Sequence, residues 1–117
     1  MDTIAFYGSI ATADAELTSG VLREWLETTA LDIKVGRIGV EIVFKGEGRY
    51  LYCYETAAER GQAASYLLEG HLEGTLDEAR GRLEWLVALF RARSVEARFD
   101  YVRVDENGDW LGEELSV

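Results

Sequence analysis

The sequence predicts an α+β fold in which about three helices pack on one face of an antiparallel sheet of about five strands. Three observations carry that expectation. Several stretches alternate apolar and polar residues with a period of two, two others repeat apolar residues at helical spacing behind capping motifs, and glycine must provide the turns in a chain without proline. The expected order is β-α-β-β-α-α-β-β. With 117 residues and no linker, repeat or low-complexity tract, the chain reads as one α+β domain over 1–117. Its 48% hydrophobic and 11% aromatic content excludes intrinsic disorder.

Ile4 to Ile10 is aromatic and β-branched, a first strand. Over 14–29, Leu17, Val21, Leu22, Trp25 and Leu26 share one helical face, and Asp14 and Glu16 lie where negative charge suits the helix dipole. Thr18, Ser19 and Gly20 are weak helix formers, so the regular helix is expected from about Ser19. Residues 33–54 read as sheet, with a hairpin around Gly46-Glu47-Gly48. A three-residue loop there pairs Phe44 with Tyr50, Ile42 with Tyr52 and Val40 with Tyr54, gathering six large side chains on one face. A four-residue loop sets Val40, Ile42 and Phe44 with Leu51 and Cys53 instead. The first register is preferred, because it makes the more apolar face.

Thr56-Ala57-Ala58-Glu59 has the pattern of a capping box, predicting a helix to about Glu69 with Ala64, Leu67 and Leu68 inward and an interruption from Gly70 to Gly74. Thr75-Leu76-Asp77-Glu78 is a second capping box. It opens the longest helix, to about Arg93, with Leu76, Ala79, Leu83, Leu86, Val87 and Phe90 as its stripe and Glu78–Arg82 as an i,i+4 pair. Residues 96–104 alternate again, with Ala97, Phe99 and Tyr101 on one side. Asn107-Gly108 is a strong turn signal leading to a short final strand around Trp110 and Leu111.

The charge is lopsided, with 22 acidic against 12 basic residues and a net charge of −10. Residues 95–117 hold seven acids and two arginines, a net −5 and half the total. Such a surface repels nucleic acid and anionic lipid and attracts basic proteins. A single cysteine rules out an intramolecular disulfide and suits a reducing compartment. No basic-then-apolar leader follows Met1 and no apolar run reaches bilayer length, so the expected location is cytoplasmic. Ten arginines against two lysines fit a GC-rich bacterial source.

No motif assigns a catalytic residue, a cofactor or a metal. Asp105-x-Asn107-x-Asp109 begins like a calcium loop, but Trp110 and Ser116 stand where glycine and glutamate are needed, so it reads as a hairpin turn. His71, the only histidine, is expected on the surface of an interhelical loop. Cys53 lies mid-strand and reads as a buried structural thiol, with His71 its one conceivable histidine base. Gly46-Glu47-Gly48 is too short to cradle phosphate. The adjacent acid pairs are expected in so acidic a chain. Tyr50, Tyr52 and Tyr54 form a stripe that belongs either to the core or to a binding surface.

These readings imply a non-catalytic acidic binding protein. Its leading form is a stoichiometric inhibitor or immunity-type factor that neutralises a basic protein such as a toxin or nuclease. The expected contact residues are Asp105, Glu106, Asp109, Trp110, Glu113 and Glu114. Two alternatives stay open. One is a structural or adaptor domain dimerising through a sheet face or its helical layer. The other is a small-molecule-binding protein or enzyme with a pocket between sheet and helices, lined by Tyr50, Tyr52, Tyr54 and Cys53.

Overall fold

Alternation decides the first element: in Thr3–Ile10 (β1), Ile4, Phe6 and Ile10 are buried on one side, and Tyr7 and Ser9 turn to the other. The computed structural model describes residues 2–36, 39–56 and 65–117. Helix α1 (Ala15–Leu26) begins earlier than its composition suggests. Asp14 caps it by accepting the Leu17 amide at 3.0 Å, and the Thr18 and Ser19 hydroxyls donate to the Asp14 and Glu16 carbonyls. The cap stabilises the helix start, and the two back-bonds satisfy the hydroxyls of Thr18 and Ser19, which are buried.

Strands β2 (Asp32–Val35), β3 (Val40–Gly46), β4 (Arg49–Glu55) and β5 (Tyr66–Glu73) follow, then helix α2 (Leu76–Arg91), β6 (Ala97–Val104) and β7 (Leu115–Ser116). All pairings are antiparallel, in the order β2-β3-β4-β5-β1-β6-β7. The fold is α+β as expected, but among the described residues the sheet has seven strands rather than about five and there are two helices rather than three.

Two corrections follow. The β3–β4 loop is the two residues Glu47-Gly48, with Gly46 still paired to Arg49 and Gly48 supplying φ 72°. Two residues give the same parity as four, so Phe44 faces Leu51 and Ile42 faces Cys53, and the preferred tyrosine register is not formed. The second concerns the helix expected from Thr56 to Glu69. Residues 57–64 lie outside the described residues, and 66–69 are strand. The Thr56 hydroxyl donates to the Ser65 carbonyl at 3.0 Å and accepts the Ser65 amide at 3.3 Å. Tyr66, Leu68, Gly70 and Leu72 are buried and alternate with more exposed Leu67, Glu69, His71 and Glu73, so β5 is a central strand between β4 and β1. Gly70 does not break it. It leaves room for Phe6, whose ring lies 2.7 Å from where a Cβ would stand.

Both helices lie on one face. Val21, Leu22, Trp25 and Leu26 of α1 and Ala79, Leu83, Leu86 and Phe90 of α2 join the inward residues of β1 and β3–β6 in one hydrophobic cluster. The second capping box forms as expected, with the Thr75 hydroxyl accepting the Glu78 amide and the Glu78 carboxylate accepting the Thr75 amide. That use of Glu78 leaves Arg82 for another task. Its guanidinium donates to the Trp25 carbonyl at 3.0 Å while the Trp25 indole donates to the Arg82 carbonyl at 2.8 Å, a reciprocal lock between the helices. The helical-surface ion pair is Arg80–Glu84 instead.

Candidate functional site

The C-terminal segment is built from the turn outward. The Asp105 carboxylate accepts the amides of Asn107 at 2.8 Å and Asp109 at 2.9 Å, the Gly108 amide donates to the Asp105 carbonyl, and Gly108 takes φ 84°. The oxygen-rich run is therefore a hairpin turn, with one Asp105 oxygen holding backbone. Beyond it the chain returns along β6, but regular strand does not form at Trp110 and Leu111 as expected. A single bridge joins Trp110 to Val104, the Leu111 amide donates to the Arg103 carbonyl at 2.8 Å, and the strand proper is Leu115–Ser116. The Val117 amide on the Phe99 carbonyl and the Ser116 hydroxyl on the Asp100 carboxylate fasten the end.

This scaffold brings the six expected contact residues onto one short segment. Glu106, Asp109, Trp110, Glu113 and Glu114 are exposed, whereas Asp105 is half-buried and positions the turn. Trp110 is 58% exposed and Leu111 48% exposed, large apolar surface set among four carboxylates. Among the described residues none of those carboxylates forms a salt bridge. Their field therefore acts outward.

The tyrosine stripe lies on the sheet face away from the helices. Tyr50, Tyr52 and Tyr54 are half-buried there, while Leu51 and Cys53 enter the core. Pairing carries the face across the sheet: Tyr52 stands beside Glu69, Glu69 beside Tyr7, and Tyr7 beside Asp100. Two shallow hollows share Tyr7 and Glu69. One, of about 470 Å³, also touches Tyr54, Leu67, Arg98 and Asp100; the other, of about 300 Å³, also touches Tyr50 and His71. Hydrogen bonding to Glu41, followed by burial, raises the Tyr52 phenol above its ordinary pKa. Trp110 pairs with Val104, of the same parity as Val102 and Asp100, so its Cβ lies on this same face. The acidic segment and the tyrosines thus border one surface. Sequence reasoning missed Tyr7, Glu69 and Asp100; the alternation of β1, with Ile4 and Phe6 inward, is the signal that would have turned Tyr7 outward.

The same parity separates Cys53 from the tyrosines, so no pocket between sheet and helices is lined by both. Burial pushes the Cys53 thiol up to about 12, which keeps it protonated. His71 sits on β5 and not in an interhelical loop. Its ring stacks at a tilt 5.8 Å from Tyr50, on the face opposite to Cys53, so the two cannot act as nucleophile and base. Among the described residues no group of three or more His, Cys, Asp or Glu could hold a metal, and no helix is long and apolar enough to cross a membrane. Comparison with known proteins gives no matching family model and no match among curated proteins, so the functional reading rests on the geometry.

Proposed function

We propose that this protein is a cytoplasmic, non-catalytic acidic binding protein that neutralises a basic partner, such as a toxin or nuclease, by stoichiometric occlusion. One observation carries the reading: exposed Trp110 and Leu111 stand among Glu106, Asp109, Glu113 and Glu114 on a segment fastened to the sheet edge. Carboxylates steer a basic protein in at long range, and a large aromatic beside them supplies the apolar contact that holds it. An Arg or Lys of the partner can also stack on the indole. The neighbouring tyrosine face offers further amphipathic contact at low entropic cost.

The test is affinity purification of the tagged protein from its native host at low salt, with elution by a salt gradient. A basic protein recovered at near one-to-one ratio and released by moderate salt is the expected result, because exposed charge attraction is screened within about 8–10 Å at physiological ionic strength. Recovery of the bait with no such partner would refute the proposal.

A further inference from the structure

Among the described residues, the far edge of the sheet from the acidic segment is β2, all four residues of which are exposed. Its apolar side chains are conspicuous: Val35 is 83% exposed and Ile33 38% exposed, and Leu31 just before them is half-buried. Bare strand edges are templates for pairing with another strand. Which backbone groups this edge offers follows from the hairpin to β3. Gly36 and Gly39 exchange both amide–carbonyl bonds, so Val35 and Val40 form the next, non-hydrogen-bonded pair. The Val40 amide agrees, donating away from β2 to the Glu55 carboxylate at 3.2 Å. Alternation then directs the amides and carbonyls of Asp32 and Lys34 toward β3 and those of Leu31, Ile33 and Val35 outward.

An antiparallel copy of the same edge must bond odd residues to odd residues. Three such two-fold registers overlap most of β2. The one centred on Asp32 opposes Asp32 to Asp32, and the one centred on Lys34 opposes Lys34 to Lys34; like charges directly opposite are destabilising. The register centred on Ile33 alone avoids this. It sets Ile33 on Ile33 and Leu31 on Val35 along the helix side, and Asp32 on Lys34 twice along the tyrosine side. The last two are non-hydrogen-bonded pairs, where side chains approach most closely. We infer that this chain forms a two-fold homodimer by antiparallel β2–β2 pairing centred on Ile33, with Asp32 and Lys34 of each copy as its register-setting ion pairs. The two sheets become one, the pairing contributes about six main-chain hydrogen bonds, and both C-terminal segments stay free at the outer edges.

Sedimentation equilibrium of the wild-type chain up to about 1 mM, a range that detects even a weak dimer, tests this without any partner. The expected species is a dimer of 13.1 kDa chains. D32K and K34D each place like charges opposite one another, and each is expected to weaken homodimerisation by about tenfold or more. Mixed in equal amounts they should form a heterodimer, and D32K/K34D should dimerise alone, which shows that the single variants still fold. I33C should cross-link to itself on mild oxidation, since hydrogen-bonded partners stand about 5.5 Å apart at Cα, within disulfide reach. A wild type monomeric throughout, a dimer indifferent to K34D, or no rescue on mixing would each overturn the inference. Because β2 and the acidic segment occupy opposite edges, K34D leaves partner capture intact, so the two claims fail separately.

Discussion

One substitution, glycine to alanine, should have opposite effects at two places in this chain. In α2, Gly81 is exposed, with nothing within 4 Å of where a Cβ would stand. Alanine there removes backbone entropy from the unfolded state and should stabilise by about 1 kcal/mol. In β5, a Cβ on Gly70 would stand 2.2 Å from the Tyr50 carbonyl oxygen and 2.7 Å from the Phe6 ring. Phe6 is fixed edge-on against buried Trp25 at 5.9 Å between centroids, and the carbonyl belongs to the β4–β5 ladder, so neither can yield cheaply. Overpacking of this kind costs about 1–3 kcal/mol, and the backbone clash places Gly70→Ala at the upper end. An unfolding entropy of about 2.1 cal/mol/K per residue gives about 250 cal/mol/K for 117 residues, or about 4 °C per kcal/mol. Thermal melts followed by circular dichroism should therefore rise by about 4 °C for G81A and fall by about 12 °C for G70A. A neutral G70A would refute the placement of β5 as a central strand with Gly70 beneath Phe6.

Cys53 makes a pH-dependent prediction. Its thiol is held near 12 in the folded state against 9.0 when unperturbed, so its contribution to stability is complete below pH 9 and is lost as pH rises toward 12. At 1.36 kcal/mol per unit the loss approaches about 4 kcal/mol, of which about 2 kcal/mol falls by pH 10.5. Unfolding free energies from urea melts at pH 8 and 10.5 should show wild type losing about 2 kcal/mol more than C53A between the two; equal losses would refute a desolvated thiol. Asp105→Ala removes the acceptor of two turn amides and should loosen residues 105–111, read as faster amide exchange at Asn107 and Asp109, with the core unaffected. With a purified partner, reversal of Glu113 and Glu114 to Lys should slow association about tenfold or more at low salt and leave dissociation nearly unchanged. Trp110→Ala should instead speed dissociation by about thirtyfold, the effect of a hot-spot loss of about 2 kcal/mol.

Where local signals agreed with tertiary demand, the sequence was legible. Strands β1 and β6 and helices α1 and α2 follow alternation, helical spacing and capping chemistry, because each buries one face against the same core, and the turn at Asp105–Asp109 follows its own side-chain-to-backbone bonds. The candidate contact segment was readable for a simpler reason: Trp110 and its acidic neighbours are contiguous in sequence. The tyrosine register was misread because Tyr50, Tyr52 and Tyr54 count as large apolar residues, whereas an uncovered sheet face accepts tyrosine with its hydroxyl in water. Strand β5 was hidden by a capping pattern at Thr56 that competes with the alternation of Leu68 to Glu73, and long-range pairing to β1 and β4 decided the outcome. The pairing that assembles Tyr7, Tyr52, Glu69 and Asp100 on one face joins strands far apart in the chain, and no local pattern encodes it.

The most direct test of the central claim is a side-by-side capture from native-host lysate at low salt, using wild type, E113K/E114K and W110A as baits. Wild type should retain a basic protein at near one-to-one ratio, and both variants should lose most of it. Equal retention by all three baits, or no basic partner on any of them, would contradict the claim.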